Sequence, residues 1–150
     1  MVRVFSTLFL FLALAITGAA HAQGLIVKQA QGSVAETVEK FEAAVEGAGA
    51  KVFAVVDHAK GAMSVGSEIP PATVIIFGNP KLGTPLIAAN PQIGLDLPLK
   101  VLVWDEAGKT MIGYTDPMAL KDRYSVAGAD ETFATISGAL GKLTDKAAGE

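Results

Sequence analysis

Cysteine is absent from all 150 residues. That removes disulfides, thiolate nucleophiles, cysteine-ligated zinc and iron–sulfur clusters together. A chain of this length buries enough core without such staples, and the lack of a stray thiol suits an oxidising compartment. Basic charge is also scarce: 12 Lys and Arg stand against 15 Asp and Glu, for a net charge of −3. Nucleic-acid binding draws on a basic patch that releases counterions, so this balance argues against that class. No internal repeat and no low-complexity tract occurs.

What is present begins with a leader. Arg3 gives a short positive start, Leu8–Ile16 is apolar and uncharged, and Ala20-His21-Ala22 has the small-x-small pattern that signal peptidase reads. The apolar run falls far short of the ~20 residues that span a bilayer. Met1–Ala22 is expected to be a signal peptide cut after Ala22. The mature domain, residues 23–150, then works in the periplasm or outside the cell, with no stable membrane insertion. Without Arg3 it carries 11 basic and 15 acidic residues, a net charge of −4, and His58 is its one histidine.

Local patterns define the elements. Leu25–Ala30 reads as a strand. Ser33 and Glu36 form a capping box, each side chain reaching the other's backbone amide. Val34, Val38, Phe41 and Val45 follow at helical spacing, closed by Gly47 and Gly49. Lys51–Asp57 and Thr73–Phe77 read as strands, with one or two helical turns in Ala59–Gly66 between them. Thr84-Pro85 reads as the cap and first residue of a short helix ending at Ala89. Lys100–Asp105 and Thr110–Thr115 flank Glu106-Ala107-Gly108-Lys109 as a hairpin, with Trp104 expected to face Tyr114 across it. Asp116-Pro117 starts a helix to about Tyr124. A last helix begins near Asp130, with Phe133, Ile136, Leu140 and Leu143 inward and Lys142 to Glu150 frayed. Val74–Phe77 and Val101–Trp104 are apolar on both faces, as central strands are. The fold class is therefore α+β: one domain, an antiparallel-rich sheet with helices over one face.

Several segments in order carry a family resemblance: Asp57-His58, Ile76-Phe77-Gly78-Asn79-Pro80-Lys81, Gly83-Thr84-Pro85-Leu86, Leu95-Asp96-Leu97-Pro98-Leu99-Lys100 and Val101-Leu102-Val103-Trp104. Together they resemble the DUF302 domain. Tyr114, Asp116-Pro117, Leu120 and Arg123 resemble that family's Tyr-Asn-Asp-Pro segment. The resemblance implies a TBP-like strand–helix–four-strand–helix sandwich over about residues 25–145, and a homodimer; no activity or cofactor comes with it. Pro70-Pro71-Ala72 stands where the family often has Arg-Pro-Thr, Thr115 where it often has Asn, and Ile87 where it often has Met. A ligand contact through that arginine would be missing here.

The candidate site residues are His58, Asn79, Lys81, Thr84, Asp96 and Lys100. Imidazole titrates near neutrality, which suits His58 to proton transfer or metal ligation. With Asp96, or with the adjacent Asp57, it could hold a divalent metal through nitrogen and oxygen, although no HExxH or paired-histidine spacing supports this. Asn79 to Thr84 could offer backbone amides and Lys81 to an anion at a helix start, or could simply be a turn with caps. Asp96 and Lys100, four apart, could pair with each other, or Lys100 could hold a carboxylate. No nucleophile elbow is present, since Gly61 to Gly66 misses its spacing by one.

Three readings follow. The first is an exported, non-enzymatic homodimer that binds a small anionic ligand or a divalent metal ion at that polar cluster. The second is a structural or protein-interaction module whose motif loop is the dimer contact. The third is an enzyme with His58 as general base and Asp96 or Lys100 as partner.

Overall fold

The computed structural model describes Gly24–Glu150; the expected leader and its cleavage junction lie outside the described residues. In chain order the elements are β1 (Leu25–Gln29), α1 (Val34–Gly47), β2 (Lys51–Asp57), α2 (His58–Met63), β3 (Ala72–Gly78) and α3 (Pro80–Ala89). A short 3-10 helix (Pro91–Leu95), β4 (Leu99–Glu106), β5 (Lys109–Thr115), α4 (Pro117–Tyr124) and α5 (Asp130–Ala148) complete it. The strands form one sheet in the order β1-β5-β4-β3-β2, antiparallel at every step. This is the expected α+β sheet with helices on one face.

Alternation along the strands decides what each face carries. Ile75, Phe77, Val101, Val103, Ile112 and Tyr114 are buried beneath the helices. Phe41 of α1 meets Phe77 edge to face, ring centres 5.1 Å apart, a favoured geometry for paired quadrupoles. Phe133, Ile136, Leu140 and Leu143 of α5 join this core as the periodicity requires. The capping box on α1 is present: the Ser33 Oγ accepts from the Glu36 amide at 3.2 Å, and the Ser33 amide donates to Glu36 Oε2 at 2.8 Å. That donated bond holds the Glu36 carboxyl below the ordinary carboxylate range.

Three local expectations are corrected. Trp104 does not face Tyr114: its register partner is Met111, and Tyr114 pairs with Val101. The two rings sit on opposite faces of the sheet because their positions differ in strand parity. Residues Lys142 to Ala148 are not frayed. Thr144, Ala147 and Ala148 are buried, the Ala148 carbonyl accepts from the Gln31 amide at 2.8 Å, and the Lys28 ammonium pairs with Asp145 and donates to Thr144 Oγ1. Thr84 is not a helix cap. α3 starts one turn earlier, with Asn79 as cap and Pro80 in the first turn.

Candidate functional site

The early start of α3 settles the fate of its amides. Asn79 Oδ1 accepts from the Lys81 amide at 3.0 Å. The Asn79 carbonyl accepts from the amides of Leu82 at 2.9 Å and Gly83 at 3.0 Å, and Pro80 has no N–H to give. Every donor of the first turn is therefore already satisfied, so the helix start offers no open cradle to an anion. Lys81 itself is exposed.

Asp96 is committed elsewhere as well. Its Oδ2 accepts from Tyr124 Oη at 2.7 Å and from Arg123 Nη1 at 2.9 Å. The Tyr124 bond, with help from Arg123, holds the Asp96 carboxyl below the ordinary carboxylate range against the opposing effect of burial. The same bond raises the Tyr124 phenol. Asn90 continues the network by donating to the Tyr124 carbonyl at 2.7 Å. Lys100 is thus not the direct partner of Asp96. It pairs in register with Ile76, and its side chain leaves the sheet on the face away from the helices. Arg123 and Tyr124 were not among the site candidates, since a partner 27 residues away leaves no local spacing signal.

His58 lies far from the rest. Asp57, just before it, pairs with Thr73 at one end of β3, whereas Leu99, beside the Asp96 loop, pairs with Phe77 at the other. Those ends are four residue steps apart along β3, about 13 Å. Asp57 caps α2 by accepting from the Lys60 amide at 2.9 Å, and His58 is exposed at the first position of that helix. The strand register therefore does not bring His58 and Asp96 together. Among the described residues no group of three His, Asp or Glu is placed to hold a metal ion.

Two of the six candidates do come together. Asn79 and Thr84 line a cleft of about 310 Å³ between α3 and α5, floored by the ends of β2, β3 and β4. The rest of its lining is almost wholly apolar, including Phe53, Leu82, Ile87, Leu97, Pro98, Ile136, Ala139 and Leu143. A register shift in β2 between Val52 and Ala54 brings Phe53 to this wall, where it is 48% exposed, with Ile87 at 41%. Gly83 stands on the α3 wall, and a Cβ built there meets nothing within 4 Å. Asn79 Oδ1 is occupied by its cap bond, which leaves its Nδ2 donors and the Thr84 hydroxyl as the polar groups a ligand would meet. Sequence pattern alone missed the α5 wall and Phe53: the α5 periodicity marked inward residues but not which gap they border.

The cleft and the single-sided sheet define a small α+β domain with an apolar pocket at one end. The chain belongs to the family described as Domain of unknown function DUF302, whose model matches residues 26–143. A crystal structure of an uncharacterized conserved DUF302 protein from Bacillus stearothermophilus superposes with a TM-score of 0.77 at 23% identity, covering 84% of this chain and 99% of that one. It shows the shared fold. Two curated relatives are named fluoride-specific ion channels. FluC 1 of Brucella suis biovar 1 is 39% identical over 129 residues, 85% of this chain and 51% of that protein. FluC 2 of Brucella melitensis biotype 1 matches at the same identity over 48% of its length. The chain therefore spans about half the length of the curated relatives it matches.

Proposed function

We propose that this chain is an exported, non-catalytic domain that binds a small molecule with an apolar body and one polar end in the cleft between α3 and α5. One observation carries the reading. Gly83 costs the interior of α3 about 1 kcal/mol relative to alanine, yet no neighbour needs the space its side chain would fill. What the glycine leaves behind is an open apolar wall. The volume lies at the small end of ligand pockets, and a few polar groups on an apolar lining are their usual pattern. Satisfied amides at the α3 start turn the chemistry away from an anion and toward an apolar guest. Export rests on the sequence pattern of Arg3, Leu8–Ile16 and Ala20-His21-Ala22.

The relatives bear on context. A channel has to cross a bilayer, and no described helix of this chain is long and apolar enough to do so. This supports reading the shared half of those proteins as a domain carried alongside the pore, and this chain as a binding domain rather than an ion conduit.

The test is fluorescence titration of the purified chain with N-phenyl-1-naphthylamine, a neutral apolar probe. Saturable binding is expected, unaffected by inorganic phosphate. Gly83→Leu should weaken it about tenfold or more, since the leucine takes the contact surface of one buried side chain, about 1.5–3 kcal/mol. The same change favours the helix, so the variant should melt no lower than the wild type. Undiminished binding by Gly83→Leu would sink the assignment.

A further inference from the structure

The walls of the α3–α5 cleft are all tied to α4, although none of its described lining residues belongs to that helix. α3 forms one wall with Leu82, Gly83, Thr84 and Ile87 and ends at Ala89. Leu97 and Pro98, just after the 3-10 helix, form a second. Asn90 stands just beyond the first wall and Asp96 just before the second. Both are bonded to one residue, Tyr124 at the end of α4. Its carbonyl accepts from Asn90 Nδ2 at 2.7 Å, and its hydroxyl donates to Asp96 Oδ2 at 2.7 Å. The 3-10 helix between them is itself fixed: Asn90 Oδ1 accepts from the Gln92 amide at 3.0 Å, and Ile93 is fully buried. Asn90 to Asp96 is therefore a closed frame with Tyr124 as its strut. The Tyr124 ring packs against the core, which gives the strut a firm footing. α5, the third wall, is tied to the same helix by Lys121, which pairs with Asp130 at the start of α5.

We infer that Tyr124 holds the cleft at a set width and so restricts it to compact, ring-shaped guests in preference to long flexible chains. The inference rests on the reading of the cleft as a binding site. Walls spaced by hydrogen bonds cannot part without breaking one, and a donor or acceptor left unmatched costs free energy. A rigid guest that fits the set width leaves little to be ordered on binding, which is the advantage of a preformed site. The volume of about 310 Å³ has room for a compact body and little more. A hydrogen-bond acceptor on that body would meet Asn79 Nδ2 and the Thr84 hydroxyl. A flexible chain loses its own conformational freedom on binding, and it adapts to a narrow or a parted cleft alike. Tyr124 is thus a positioning residue: it acts on the guest through the walls it joins.

Two ligands measured on one set of variants test it, N-phenyl-1-naphthylamine by direct titration and n-dodecanol by its displacement. The wild type should prefer the naphthylamine. Tyr124→Phe removes the hydroxyl alone and should weaken the naphthylamine about fivefold, the effect of one hydrogen bond. Dodecanol should change by less than about twofold, since it gains little from preformed walls. Asn90→Asp keeps the capping oxygen but loses the donor to Tyr124. It should shift the preference in the same direction, and it decides the matter should Tyr124→Phe not fold. Thr110→Val removes the 2.8 Å bond to the Gly32 carbonyl at the far end of the sheet, so it should lower stability without moving the preference. An unchanged preference in Tyr124→Phe, or in Asn90→Asp where only that variant folds, overturns the inference and leaves the binding site standing. An equal shift in Thr110→Val does the same, as does a wild type that prefers dodecanol. A wild type that binds neither ligand overturns both readings.

Discussion

Asp96 shows how one side chain changes meaning between sequence and fold. Four residues from Lys100, it invites an ion pair; in space it receives the Tyr124 hydroxyl and the Arg123 guanidinium, and so ties the 3-10 helix to α4. Its carboxyl is held below the ordinary range, foremost by the Tyr124 bond. A folded-state value below the unfolded one, near 3.9, stabilises the fold above that pH. The contribution is lost as pH falls through the folded value. Asp96→Asn should therefore cost about 1 kcal/mol at pH 7, and the gap to the wild type should narrow on acidification below about pH 4. Urea melts across that range read both effects. A constant gap would mean that the charge of Asp96 is not what the network uses.

At the scale of elements, β1 is the least secured part of the sheet. It is an edge strand of five residues whose Leu25 and Val27 stand half in solvent. Besides its ladder to β5, it is pinned by Lys28, which reaches the last turns of α5 at Thr144, Asp145 and the Gly141 carbonyl. A cation there complements the negative end of the helix. Both partners are partly exposed, so Lys28→Ala should cost only about 1 kcal/mol overall. The loss should be local, since edges open before cores. Hydrogen exchange is expected to quicken in Leu25–Gln29 and in the final turn of α5, with the amides of β3 and β4 unchanged. Uniform acceleration across the sheet would assign Lys28 to global stability instead.

For the whole molecule, stability rests on one core between a five-stranded sheet and the helices over it. Phe41 is fully buried against Phe77, and it joins α1 to the centre of the sheet. Phe41→Ala should cost about 3–5 kcal/mol, a transfer loss plus a cavity. Domains of this size are stable by only about 5–15 kcal/mol, so the variant should unfold at a much lower denaturant midpoint with an unchanged slope. A loss under about 1 kcal/mol would mean that the site collapses around the gap. The molecule's asymmetry has the same origin: among the described residues, the helices that share this core lie on the side that holds Phe41.

The sequence by itself determined the elements whose signals are local. The capping box at Ser33 and Glu36, the apolar rows of α1 and α5, the Asp116-Pro117 start and the Ala107-Gly108 turn were legible because each is written within a few residues. The sheet with helices on one face was legible from the same patterns, and the linked motifs of the resemblance pointed to the family. Only the tertiary structure decided the site. Strand pairing puts His58 and Asp96 at opposite ends of β3, gives Asp96 to residues 27 and 28 positions away, and sets Trp104 and Tyr114 on opposite faces. Even the start of α3 turned on a choice between two cap-and-proline pairs, Asn79-Pro80 and Thr84-Pro85, that local rules score alike. The cleft was illegible for a related reason. A cavity is space bounded by side chains from distant elements; it is not a property of any single stretch of chain.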